Sequence, residues 1–122
     1  MASTTQANVG GLSKILYQGL LDDVQTTIYT APSQPPNMRV EVTAIWICNT
    51  DSATRQCTLM VGSEVTLIDK NKLLGQAPIQ PNTTYIVFDT SPVTLSAGMK
   101  FDGFSDVADT VAVTILGKVW AS

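Results

Sequence analysis

Met38-Arg39-Val40-Glu41-Val42-Thr43-Ala44-Ile45-Trp46-Ile47-Cys48-Asn49 is the stretch on which the fold turns. Its first half alternates. Met38, Val40 and Val42 fall on one side of an extended chain and Arg39, Glu41 and Thr43 on the other, the period of two that a half-buried strand requires. The second half, 44–48, is apolar on both sides. Either it runs between two layers or a neighbouring subunit covers one of its faces, because a two-layer sandwich leaves one face of each sheet in water. The subunit contact is the favoured reading. The last stretch of the chain repeats the pattern, with Val111, Val113, Ile115 and Val119 facing one way and Ala112, Leu116 and Trp120 the other, interrupted by Thr114 and Lys118. Two strands that are apolar on both faces predict an oligomer.

Working outward, Thr and Val are abundant, and Pro and Gly break the apolar runs about every eight to twelve residues, the punctuation of an all-β sandwich or barrel. Candidate strands fall at 14–20, 25–30, 38–49, 56–61, 64–68, 84–90, 99–104 and 110–120, and no segment has a helical period. Residues 1–13 are small, polar and glycine-punctuated through Gly10-Gly11, too poor in apolar groups to join a core, and are expected to form a flexible N-terminal arm ordered only by a partner. Residues 14–122 then form one domain. A chain of 122 residues buries about two-thirds of its unfolded surface in a single core, enough to fold without staples.

Charge and composition narrow the functional classes. There is no histidine, which removes the commonest general base and the commonest transition-metal ligand, so triads and zinc hydrolases are excluded and an enzyme is not expected. Seven basic residues against ten acidic ones, the basic ones scattered singly, give no electropositive footprint for nucleic acid. Residues 1–8 carry neither a basic leader nor an apolar run, and nothing approaches a membrane-spanning length, so synthesis in the cytoplasm and no membrane partner are expected. Charged residues make up 14% of the chain against about 25% in average chains, a deficit that suits surface meant to meet other protein.

No motif here calls for covalent or metal chemistry, and no cofactor or metal is expected. Centring a hairpin on Ser52 and Ala53 places Cys48 opposite Cys57 on one face; reduced, buried thiols are the favoured reading and a late disulfide the alternative. The acidic run 102–109 lacks the ligand spacing of a calcium loop and reads as a solvated loop. Asp22-Asp23 reads as a turn, and no phosphate-cradling loop or nucleophile elbow is present. Trp46, Trp120, Tyr17, Tyr29 and Tyr85 could stack on sugar rings, but all fall inside candidate strands, where core and interface anchors are commoner. Pro32, Pro35 and Pro36 stiffen the loop 33–37, which makes Pro35 and Pro36 candidate contact residues.

Ile28-Tyr29-Thr30-Ala31-Pro32, then Val40 to Ile47 leading into Cys48-Asn49-Thr50, then Leu95-Ser96-Ala97-Gly98, then Val113-Thr114-Ile115-Leu116-Gly117, taken in that order, resemble small β-sandwich virion proteins of tailed bacteriophages. Leu16 to Leu21, with Gln18-Gly19, fits the stretch that precedes the Tyr-Thr-x-Pro motif in such proteins. The likeness spans roughly residues 14–119 by the spacing of these motifs. This chain departs from the pattern in two places: a longer 33–37 insertion follows Pro32, and Met99 stands where relatives carry a turn aspartate. The resemblance implies a jelly-roll-like two-layer antiparallel β-sandwich forming a homo-oligomer, a trimer, on the outside of a phage head, where it binds the major capsid protein as decoration or cement. A tail, neck or vertex-fibre adaptor is the first alternative and a carbohydrate-binding module the second. Ile45, Trp46, Ile47 and Trp120 are the expected contacts within the oligomer, and residues 2–12 the segment expected to order against the capsid.

Overall fold

The computed structural model describes residues 14–32, 38–87 and 93–121. The expected arm, 1–13, and the expected contact residues Pro35 and Pro36 lie outside them. Within the described residues the chain forms nine strands: β1 (Lys14–Leu20), β2 (Thr26–Thr30), β3 (Met38–Asn49), β4 (Arg55–Gly62), β5 (Lys72–Ile79), β6 (Thr84–Val87), β7 (Val93–Ser96), β8 (Lys100–Ser105) and β9 (Val111–Ala121), with a short 3-10 turn at Asp69–Asn71. They make two antiparallel sheets packed face to face. One has the order β1-β9-β3-β6, with β7 also on β3; the other has the order β2-β8-β4-β5. Successive strands cross from one sheet to the other at both ends of the chain, which is the topology of a jelly roll.

β3 is the spine. It pairs with β9 from Met38↔Ala121 to Asn49↔Val111, and its other edge is shared between β7, opposite Arg39 to Val42, and β6, opposite Ile45 to Cys48. The register slips by one residue between Val42 and Ala44, leaving Thr43 as a bulge. A bulge changes which parity of residue faces inward. Val40 and Val42 point into the core before it, and Ile45, Ile47 and Asn49 after it, all with no exposed surface. The double-sided apolar run is thereby divided: Ile45 and Ile47 go inward, while Ala44, Trp46 and Cys48 take the opposite face. Gly117, opposite Val42, is required by the same crowding, since a Cβ there would overlap the Glu41 carbonyl and press on Leu16 Cδ1.

Between the sheets, Val40, Val42, Ile45, Ile47, Val113 and Ile115 meet Cys57, Leu59, Ile79 and Phe101 in one cluster. One end of the sandwich is tied by polar groups. The buried Asn49 carboxamide donates to the carbonyls of Ala53 and Ile79 and accepts from the Asp51 amide. Arg55 grips Asp51 through Nε and Nη2 and lies 3.9 Å from Asp106.

Three expectations are corrected by this architecture. Residues 64–68 are not a strand but part of a loop, and the strand that pairs with β4 is β5, Lys72–Ile79. Cys48 and Cys57 are not cross-strand neighbours: β3 and β4 belong to different sheets, so the 50–54 connection is a crossover rather than a hairpin, and both thiols are free. Cys57 points into the core, where burial pushes its thiol up to about 12, while Cys48 is half-buried on the outer face of the other sheet. Asp102 is not in a solvated loop; it sits buried in β8 and accepts hydrogen bonds from Gln25 Nε2 and Thr27 Oγ1, both 2.8 Å.

Candidate functional site

The two outer faces of the sandwich are finished differently. On the four-stranded sheet the chain covers itself. The loop 63–71 lies over that face, with Leu67 buried and a Cβ on Gly62 only 3.0 Å from its Cδ2. Met60 and Leu67 are buried yet do not belong to the inter-sheet cluster. Polar bonds hold the loop down: Gln25 Nε2 donates to the Leu67 carbonyl at 3.1 Å, and Lys100 Nζ to the Val65 carbonyl at 2.6 Å. Glu64 bridges Lys70 and accepts from Asn71 Nδ2, contacts that hold its carboxyl below the usual carboxylate range.

Among the described residues, no segment lies over the outer face of the five-stranded sheet. Register alone places its side chains, because directly paired residues of antiparallel strands share a face. One rung runs Leu20–Ala112–Cys48–Thr84 across β1, β9, β3 and β6. The next runs Gln18–Thr114–Trp46–Ile86, and the third Ile15–Leu116–Ala44. Trp46 is 44% exposed, Ile86 56%, Leu20 50% and Ile15 56%. These are four large apolar side chains on one contiguous surface, with Trp46 near its centre. A polar contact lies inside the patch, where Gln18 Nε2 donates to Thr114 Oγ1 at 3.0 Å. Beyond the bulge the same face carries the polar rung Glu41–Lys118–Thr94 and then Arg39, paired with Ser96 on one side and with Trp120 on the other. Of the other exposed large hydrophobic side chains, Tyr85 lies on β6 paired with the inward-facing Ile47, and Val24, Val65, Ile68 and Val107 sit on separate loops.

The residues expected to form the subunit contact are therefore separated by the structure. Trp46 is on the open face. Ile45 and Ile47 are fully buried in the core of a single chain and are not available to a partner, because the Thr43 bulge turns them inward. Trp120 pairs through its backbone with Arg39; its side chain lies outside the described residues. Three residues that sequence reasoning passed over, Ile15, Leu20 and Ile86, complete the surface. Their signal was present only as apolar residues at outward positions of two strands, β1 and β6, that are distant in sequence, and it becomes a patch once the order β1-β9-β3-β6 is known.

An aromatic anchor surrounded by aliphatic side chains, with charges at the margin, is the layout of a protein-binding surface. A sugar platform needs hydrogen-bonding groups around the ring. Here Trp46 has Ile86 and Thr114 as direct neighbours, and the Thr114 hydroxyl is engaged by Gln18. Among the described residues there is neither an enclosed pocket nor a cluster of three or more metal-ligating side chains. Compared with family models, curated proteins and solved structures, the chain matches none.

Proposed function

We propose that this chain is a structural protein of a bacteriophage virion, a cement protein that decorates the outer surface of the head and works by binding alone. The observation that carries the reading is the asymmetry of the sandwich: the loop 63–71 lies over one outer face, and among the described residues nothing lies over the other around Trp46. A bare apolar sheet face is costly to keep in water unless another protein covers it in the working state. The proposed partners are further copies of the chain, in a trimer, and the major capsid protein, with residues 2–12 reaching the shell.

The mechanism is linkage. A protein that binds across capsomer boundaries stabilises the assembled shell over its dissociated parts by its binding free energy at each site, about 2.7 kcal/mol when its free concentration is one hundred times Kd. Small terms repeated over many sites make a shell resistant to heat and internal pressure without any bond being made or broken. The copy number per purified particle, measured by quantitative mass spectrometry, tests this. A decoration protein is present in hundreds of copies by the geometry of a head, a tail or neck adaptor in a few rings. Quenching of the chain's tryptophan fluorescence by a panel of sugars tests the carbohydrate-binding alternative, and the cement reading expects no response.

A further inference from the structure

We infer that β6 is an open sheet edge that takes up an extended segment of another protein as an added strand. Main-chain groups make this contact, with side chains selecting the segment, and it holds whether or not the chain sits on a virion.

Register shows which backbone groups of β6 are left over. The Asn49 amide donates to the Thr83 carbonyl at 3.0 Å, so Thr83 directs its backbone groups at β3. By the alternation of an antiparallel ladder, so do Tyr85 and Val87, opposite Ile47 and Ile45. The N–H and C=O of Thr84 and Ile86 therefore point away from β3. The opposite edge of β3 agrees: the Thr50 amide donates to the Thr110 carbonyl at 2.9 Å, which directs the backbone groups of Cys48 and Trp46 at β9. β6 ends the strand order of its sheet, and among the described residues no strand pairs with its outer edge.

Open edges are normally blunted, since a row of unpaired N–H and C=O groups invites another strand. β1 and β2 each carry a bulge, at Leu16 and Ile28. β5 carries Pro78, has Gln76 at a φ of 52° and slips register twice against β4. β6, Thr84-Tyr85-Ile86-Val87, has no bulge, proline, glycine or charge and stays in register with β3 throughout. Its two faces are short of cover as well. Tyr85 shares the inward face with the fully buried Ile47 yet stays half exposed, and Ile86 on the opposite face is more than half exposed. One added strand covers both. The same features describe the occupant. Its residue opposite Ile86 extends the rung that runs through Trp46, and its residue opposite Tyr85 closes the flank of the core, so both are apolar. A net charge of −3 disfavours acidic residues at its ends. A second folded copy fits poorly, because four residues of edge join two rigid bodies through far less than the ~1,000 Å² a stable interface needs. A flexible extended segment needs the edge alone.

The probe is a fluorescein-labelled peptide with Val and Ile at its centre, Thr on either side and Lys at both ends, titrated with the full chain and read by fluorescence anisotropy. Beside it runs the same peptide N-methylated through its centre, which keeps the side chains and removes the donors. Ile86→Pro removes an outward N–H from the edge and leaves the pairing with β3 intact, as proline on an edge strand allows. Ile86→Ala removes the side chain and keeps that N–H. The expected result is wild-type binding at about 100 μM or tighter. Affinity should be about tenfold weaker for the N-methylated peptide, and about three- to tenfold weaker for Ile86→Pro than for Ile86→Ala. No binding up to roughly 1 mM, or equal binding of the N-methylated peptide, overturns the inference. So does equal affinity of Ile86→Pro and Ile86→Ala when both keep the wild-type circular dichroism spectrum. If Ile86→Pro does not fold, the two peptides on wild type decide between the outcomes. A wild-type oligomer that takes up no peptide and that Ile86→Pro splits into single chains gives the edge to a second copy, which also overturns it. None of these readouts involves a particle, so the cement reading stands or falls separately.

Discussion

Replacing Asn49 by aspartate changes one amide nitrogen to oxygen and leaves the shape of the side chain intact. In the native fold that nitrogen makes two hydrogen bonds, 2.8 Å to the Ala53 carbonyl and 2.9 Å to the Ile79 carbonyl, and the residue has no exposed surface. Aspartate loses both donors and brings a buried carboxylate oxygen against two carbonyl oxygens, while the acceptor for the Asp51 amide is kept. Removing a donor from a buried acceptor costs about 1–3 kcal/mol, and the uncompensated charge adds to it, so a total of about 3–5 kcal/mol is expected at neutral pH. For a domain of this size each kcal/mol moves the unfolding midpoint by about 4 °C, giving a fall of roughly 12–20 °C. The sign of the pH dependence follows. The site disfavours the charged form, so the folded-state pKa of the introduced carboxyl lies above its unfolded value near 3.9, and the variant's deficit relative to wild type shrinks as pH falls through that raised pKa. Protonation returns one donor. Thermal unfolding of both proteins by circular dichroism between about pH 7 and pH 4 reads both effects. A variant as stable as wild type at pH 7, or a deficit that stays constant toward pH 4, would show that the Asn49 bonds do not tie the 49–55 connection to β5.

Ile47→Ala should cost about 2–5 kcal/mol in urea unfolding, the range for a fully buried aliphatic side chain, whereas an outward-facing Ile47 would cost under 1 kcal/mol. Gly117→Ala should destabilise by about 2–3 kcal/mol, because the added methyl meets the Glu41 carbonyl and one of the two must move; a neutral result by thermal melt would refute the β3–β9 register there. The Arg55 guanidinium and the Ser52 amide hold the Asp51 carboxyl below its ordinary value of 3.8. Its stabilising contribution is therefore present above that value and is lost as pH falls through the depressed pKa. The gap in melting temperature between wild type and Arg55→Gln should accordingly narrow from about pH 6 toward pH 2, and a constant gap would refute the pairing.

The long strands were legible because 12 and 11 residues rich in β-branched and apolar types, alternating in the first half of β3, carry no helical period. β3 has the bounds expected of it, and β1 as well. β5 was hidden by its own irregularity: Gly75 and Pro78 interrupt it, Gln76 has a φ of 52°, and its pairing with β4 slips register twice. Its place was given to 64–68, whose Val65-Thr66-Leu67-Ile68 has strand composition but serves instead to set Leu67 onto the outer side of the sheet. The Cys48–Cys57 pairing failed for a topological reason, since a short polar connection between two strands reads as a hairpin, and only the sheet order reveals a crossover. The burial of Asp102 depends on donors 75 and 77 residues upstream, beyond any local pattern.

The candidate surface was half legible. Trp46 stood out as an aromatic in a doubly apolar run, but separating it from Ile45 and Ile47 required the Thr43 bulge, which no residue type at that position announces. Thr43 donates from Oγ1 to the Leu116 carbonyl at 3.3 Å, an arrangement any serine or threonine in a regular strand could imitate. Ile86 becomes a neighbour of Trp46, and Ile15 and Leu20 come to share its face, only through pairings between segments that lie far apart in the chain.

Immunogold labelling of intact phage particles with antibody to this chain is the most direct test of the proposed cement role. The account predicts label spread over the whole head at high density. Label confined to the tail or one vertex, or absent from every particle, would contradict it.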